Sequence, residues 1–363
     1  MAINEVIDDY AFILVKLAAA KERMIKLDRL MDLTMSKDLD DFKLRLSRDQ
    51  EDLPADIIKN SKDLEESFRD IFFNYIHMMI HDAPRSCQLF VFTFVQKYET
   101  DNLKNLIVGK IANIEEKSIK ERIIFQVETI LHTDKIIKDA LKAGSLEEII
   151  YLYRKTQYYD ILRELGNRYK TTKEVFFIHA LLDQYYIKLF NQFLHKRVHG
   201  GREYGEILKF FVGTLTDFYN LSMVIRGLSY AFEWSEVELL LTTATETFKV
   251  KIDDIKRIHK IGDNKEEIVN ELKKFGARYP GGDKLVSLIY PDRIVQSLKK
   301  FYFNMQLLHL KSFKFQKGNE ISQVIAFLLR KEMEIDNLVT VFEGIKNDFD
   351  RISLKEYLIT EVT

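Results

Sequence analysis

The side chains best suited to chemistry are histidines and a single cysteine. His77 and His81 are four residues apart, as are His195 and His199, so on a helix either pair shares a face and could hold one metal ion. Neither pair encloses the glutamate of a His-Glu-x-x-His zinc protease, and no third ligand is offered by spacing. His77 sits in the run Phe72–Ile80, which has a core-like composition, while Lys196 and Arg197 mark the second pair as exposed. Cys87, the only cysteine, lies beside Pro84 and Arg85 and reads as a small buried residue rather than a nucleophile. One cysteine permits no internal disulfide and fits a reducing compartment. The sequence has no Gly-x-x-x-x-Gly-Lys-Ser/Thr loop, Gly-x-Gly-x-x-Gly turn, Cys-x-x-Cys pair or Gly-x-Ser-x-Gly elbow. It therefore suggests no catalytic residue, no cofactor site and no metal site.

What recurs instead is a carboxylate and an amide. Glu99-x-x-Asn102-Leu103, Asp217-x-x-Asn220-Leu221 and Glu334-x-x-Asn337-Leu338 each continue through two apolar residues to Gly109, Gly227 and Gly344. The asparagines are 118 and 117 residues apart. On a helix the acid, the asparagine and the leucine point the same way, at the edge of an apolar stripe. Buried there, the acid and amide must satisfy each other or a nearby backbone group, because an unpaired polar group costs roughly 1–3 kcal/mol. The glycine either ends the helix in a left-handed conformation or lets another helix approach closely. Three copies of an acid and an amide make a packing and capping motif, not an active site.

These residues need helices to hold them. Beyond each glycine a Ser-x-x-Glu box precedes an apolar run: Ser118/Glu121, Ser235/Glu238 and Ser353/Glu356. Such a box predicts a helix start capped by the serine. Upstream, Asp40-Asp41, Glu147-Glu148 and Glu266-Glu267 each open an amphipathic stretch, where acids favour the positive end of the helix dipole. Aromatic doublets at Phe72-Phe73, Phe176-Phe177 and Phe301-Tyr302 fall between the landmarks. The chain thus reads as three pseudo-repeated helical units of about 117 residues, at 1–125, 126–243 and 244–363. Breaks are expected at Arg48–Pro54 and at Tyr279–Asp283, where Tyr-Pro-Gly-Gly-Asp is a strong turn signal.

Composition agrees with an all-α fold. The 363 residues include only 4 Pro and 14 Gly, and 85–279 contains no proline, too few turn formers for an all-β chain. Net charge is −1, which excludes a basic nucleic-acid binder. Local imbalance exists: 36–70 carries 7 positive and 11 negative charges, and 249–300 carries 13 and 8, the pattern of solvated helix faces with room for docking surfaces. The N-terminus has acids where a secretory signal would be basic and then apolar. No stretch approaches the roughly 18–20 uncharged apolar residues of a membrane span.

The segment Ala326-Phe-Leu-Leu-Arg-Lys331-Glu332-Met-Glu334-Ile-Asp-Asn337-Leu338 through Gly344 and Ser353-Leu-Lys-Glu356 resembles the C-terminal signature of the C subunit of archaeal A-type ATP synthases, the counterpart of the d subunit of the vacuolar ATPase. Tyr10-Ala-Phe-Ile, Lys21-Glu-Arg-Met and Leu39-Asp-Asp-Phe-Lys-Leu-Arg-Leu resemble that family's opening helices. Departures occur at Asp101, Tyr219 and Asp336, where the family commonly has arginine, and at Ser47-Arg-Asp-Gln50, in place of Thr-Asp-Tyr-Gly. The resemblance implies a funnel of three helical units around a pseudo-threefold axis. It further implies a non-catalytic central-stalk adapter of a rotary ATP synthase, one copy per complex, with no cofactor. Such an adapter sits peripherally at the cytoplasmic face of the cell membrane, without spanning it or touching nucleic acid. It docks the shaft subunits D and F onto the membrane rotor ring of proteolipid subunits, and carries torque between ion transport and ATP synthesis or hydrolysis. The alternative reading is a soluble helical-repeat scaffold unrelated to rotary motors.

Overall fold

A computed structural model describes residues 2–48, 58, 64–198, 205–242, 249–313 and 320–362. Among these the chain is helical throughout, with short 3-10 turns and no strand. In chain order the helices are α1 (Ala2–Glu22), α2 (Leu27–Thr34), α3 (Leu39–Leu46), α4 (Leu64–Asp82), α5 (Arg85–Ile111), α6 (Glu116–Lys120), α7 (Phe125–Leu131), α8 (Asp134–Lys142) and α9 (Leu146–Leu152). They continue as α10 (Tyr159–Thr172), α11 (Val175–Val198), α12 (Gly205–Ser229), α13 (Trp234–Leu240), α14 (Ile252–Ile261), α15 (Lys265–Gly276), α16 (Ile294–Phe313), α17 (Ile321–Lys346) and α18 (Arg351–Tyr357).

The acid doublets mark helix starts. Asp38, Ser145 and Asn264 cap α3, α9 and α15, each side chain accepting from the amide three residues on, that of Asp41, Glu148 or Glu267. The doublets then occupy the first turn, beside the positive end of the helix. The Tyr279–Asp283 turn forms as expected. Gly281 has φ of 75°, and a Cβ on Gly282 would lie 2.0 Å from the Gly276 carbonyl oxygen, so only glycine fits there. The Arg48–Pro54 break falls almost wholly outside the described residues.

Contacts divide the chain into two compact units, a partition different from that of the sequence repeats. The first comprises Met1–Gln88 and Asn264–Thr363. Its centre is α17, against which α1, α2, α3, α4, α16 and α18 pack. Phe42, Phe68, Leu338, Val341, Phe342 and Leu354 are buried in one apolar cluster, with the Phe42 and Phe342 rings 6.2 Å apart. The second unit, Leu89–Asp263, is built on α11 against α12, with α10 and α14 alongside. Phe90, Phe190 and Phe211 meet there at ring separations of 5.6–5.8 Å. Closely packed aromatic bulk of this kind, with rings tilted or edge-to-face, makes a stiff interior.

Candidate functional site

The three signature asparagines make the same contact. Asn102 Oδ1 accepts from the Ile124 amide at 2.8 Å, and its Nδ2 donates to the Ile124 carbonyl at 3.0 Å. Asn220 binds Thr242 in the same two-way fashion at 2.9 and 3.2 Å. Asn337 binds Ile359 at 2.8 and 2.7 Å. Each partner is 22 residues downstream, just past the short helix α6, α13 or α18. Backbone groups there have left the helical ladder, and the amide satisfies both of them in a buried place.

The leucines and glycines complete a corner. Leu103, Leu221 and Leu338 are buried on the same helices. A Cβ on Gly109 would lie 2.6 Å from Ile119, on Gly227 2.6 Å from Val237, and on Gly344 2.5 Å from Leu354, in each case a residue ten positions on. The glycines therefore serve close approach. The left-handed turn falls four residues later, on Asn113, Ala231 and Asp348, with φ of 53–55°. The amide of the next residue, Ile114, Phe232 or Phe349, bonds back to the glycine carbonyl at 2.8–2.9 Å, closing a Schellman-type end.

The serines do not cap. The short helices begin at Glu116, Trp234 and Arg351, so Ser118 and Ser353 are third in their helices and Ser235 second. The cap positions belong to Glu115, Glu233 and Asp350. The Asp350 carboxylate accepts from the Ser353 amide at 2.7 Å, and Glu233 shares a capping box with Glu236. Each helix starts three residues after its left-handed residue, so the turn sets the register and the serine arrives too late. Glu121 follows the last turn of α6, Glu238 is in the last turn of α13, and Glu356 pairs with Arg293.

The acids share burial but have different partners. Glu99 Oε2 accepts from the Tyr158 hydroxyl at 2.5 Å, and burial pushes its pKa up to about 8, against the hydrogen bond from Tyr158 and with help from the nearby Glu128 charge. Glu128 is itself raised by burial, although Thr133 (2.6 Å) and Asn102 Nδ2 (2.7 Å) donate to it. Asp217 Oδ2 accepts from the Lys249 amide at 2.7 Å. Glu334 Oε1 accepts from the Ile25 amide at 2.6 Å, while its Oε2 lies 2.6 Å from the ammonium of buried Lys331. The residues standing where the family commonly has arginine also have partners. Asp101 pairs with Lys104 and Asp336 with Lys299, and the Tyr219 hydroxyl reaches the Ala180 and Leu240 carbonyls.

Sequence reading missed Glu128, Thr133, Tyr158 and Lys331. Lys331 was signalled by its spacing of three from Glu334. The other three lie outside the repeated pattern. His77 is exposed on α4 rather than in the core, because it faces away from the stripe formed by Phe72, Phe73, Ile76 and Met79. His81 is also exposed and pairs with Asp82 at 2.7 Å. The His195 side chain and His199 lie outside the described residues. No group of three or more metal-ligating side chains occurs among the described residues. Cys87 is buried, with its thiol pushed up to about 12 by burial. No described helix is long and apolar enough to cross a membrane.

Residues 13–357 match the ATP synthase (C/AC39) subunit family. The chain is 22% identical over 305 residues to the A-type ATP synthase C subunit of Methanocaldococcus jannaschii, covering 81% of this chain and 71% of that one. It is 23% identical over 234 residues to that of Pyrococcus furiosus, covering 64% and 60%, and 20% identical over 291 residues to that of Methanobrevibacter smithii, covering 76% and 70%.

Proposed function

Because this chain belongs to the ATP synthase (C/AC39) subunit family, a non-catalytic subunit of A-type ATP synthases, we propose that it is the central-stalk adapter of a rotary motor. It docks the shaft subunits D and F onto the proteolipid rotor ring and carries torque between ion translocation and ATP synthesis or hydrolysis. In this reading one copy serves each complex, held peripherally at the cytoplasmic face of the membrane. The units 1–125, 126–243 and 244–363 close as a funnel around a pseudo-threefold axis. Glu99, Asn102, Leu103 and Gly109, with their counterparts in the other two copies, are then positioning residues that brace the corners of the funnel.

The observation that carries this reading is the asparagine clamp built three times at near-equal spacing. A body that transmits torque must resist shear, and each clamp ties a long helix to the segment beyond its corner by two hydrogen bonds from a buried asparagine. The test is purification of the intact complex, followed by isolation of a shaft-plus-ring subcomplex and cross-linking mass spectrometry. The chain is expected in that subcomplex, with cross-links to both shaft and ring. Its absence there, with binding only to cytosolic proteins, would instead assign it to a soluble helical scaffold.

A further inference from the structure

Glu99 and Glu128 form a pair of buried carboxyls that no cation accompanies. Tyr158 donates to Glu99, while Asn102 and Thr133 donate to Glu128. Among the described residues no ammonium, guanidinium or imidazole is a partner of either acid. The other titratable groups facing the pair are Asp134 at the start of α8, Tyr153 at the end of α9, Tyr158 at the start of α10 and Tyr185 on α11. An acid and three phenols, the phenols all raised by burial, offer no positive charge at any pH.

Donor geometry says where a proton must sit. The Thr133 hydroxyl has one hydrogen, given to Glu128 Oε2 at 2.6 Å, yet the same hydroxyl faces Glu99. Toward Glu99 its oxygen can only accept, which a carboxylic acid satisfies and a carboxylate does not. Glu128, with two donors, is the better place for the negative charge. A chain therefore runs from the Glu99 carboxyl hydrogen to Thr133 and on to Glu128, and one proton ties α5 to α7. The two sides of that tie are unequal. α5 has 27 residues and carries Phe90 into the aromatic core, whereas α7 has seven and buries only Val127 and Ile130 beside Glu128. α7 hangs between Ile124, clamped by Asn102, and His132, left-handed with φ of 60°.

We propose that α7 is a proton-latched flap: the hydrogen shared along Glu99, Thr133 and Glu128 holds it shut against α5, and loss of that hydrogen to water lets it open. Opening ionises Glu99 and liberates one proton, while Glu128 is ionised in both states. Rising pH therefore favours the open flap by about tenfold per unit, from about 4.3, the value of a free glutamate, to about 8, the value in the closed corner, and no further above it. The latch belongs to the isolated chain, so its test does not depend on the rotary reading.

The measurement is hydrogen exchange by mass spectrometry on the full chain, each amide rate divided by its intrinsic rate at that pH. Protection over residues 125–133 is expected to fall about tenfold per unit between about pH 5 and about pH 7.5, while that over the second corner, residues 230–240, stays level. Glu99→Gln can donate to Thr133 and accept from Tyr158 without titrating, so it should abolish the fall, with a thermal melt as the folding control. Glu128→Gln turns the Thr133 hydrogen toward Glu99 and removes the neighbouring charge, so the fall should end at lower pH. A level wild-type profile overturns the proposal. So does a fall that Glu99→Gln retains, or an equal fall at the second corner, which assigns the proton to unfolding of the whole unit.

Discussion

The corners at Asn102 and Asn337 share a clamp, a glycine contact and a left-handed turn, yet they treat a buried carboxylate in opposite ways. Glu99 faces Tyr158, Thr133 and a second carboxylate, Glu128, and is held neutral by its own proton. Glu334 has an ammonium, Lys331, at 2.6 Å in an equally buried place. Backbone geometry can therefore repeat while the electrostatic solution does not. A carboxylate out of water must be neutralised, and a proton and a lysine both suffice.

Single substitutions should separate the two solutions. The largest effect is expected from Lys331→Met, which leaves Glu334 buried without its cation. A loss of about 3–5 kcal/mol should appear in urea unfolding, and a loss below about 1 kcal/mol would show that the pair does not carry the charge. Next come Asn102→Ala and Asn337→Ala, each removing both partners of a backbone amide and carbonyl for a loss of about 1–3 kcal/mol. The first should cost more, because Glu128 also loses a donor. Equal losses would mean that Glu128 adds nothing to the first clamp.

Gly227→Ala and Gly344→Ala should each cost about 1–3 kcal/mol by overpacking. Differential scanning calorimetry should find the greater drop at Gly227. Its neighbour Val237 is β-branched and stiff, whereas Leu354 can swing its methyls aside. Glu99→Gln is expected to change a slope rather than the stability at acid pH. In the folded chain Glu99 holds its proton up to about pH 8, while unfolded it releases it near pH 4.3. Across that window the folded state binds more protons, so stability falls as pH rises, by at most about 1.4 kcal/mol per pH unit, and levels off above it. Glu99→Gln should flatten this part of the curve and leave the value at about pH 4 and below nearly unchanged. A wild-type curve without that fall would remove the proton from the account.

The repeat itself was legible because the clamp needs one residue type. Only asparagine, or a near relative, can donate and accept toward the same backbone residue, so Asn102, Asn220 and Asn337 stand out in the sequence. The glycines left two roles open, and packing chose between them. The left-handed positions were hidden, since Ala231 is a poor residue for positive φ and only the completed turn holds it there. The serine boxes misled because a local capping rule was met one turn too late. The acid that caps α18, Asp350, gains its role from the preceding turn. Glu128 had no signal, since its partners are 5 and 26 residues away and no other copy of the pattern includes it.

Cys87 gives the molecule a practical property. It is the sole thiol, fully enclosed and with its pKa raised to about 12, so the native chain presents almost no thiolate to a maleimide at neutral pH. A cysteine introduced at an exposed apolar position such as Ile352→Cys or Phe349→Cys would then be labelled alone. One fluorophore per chain could be placed at the third corner without first engineering away a competitor, leaving the native protein a clean background for single-molecule fluorescence.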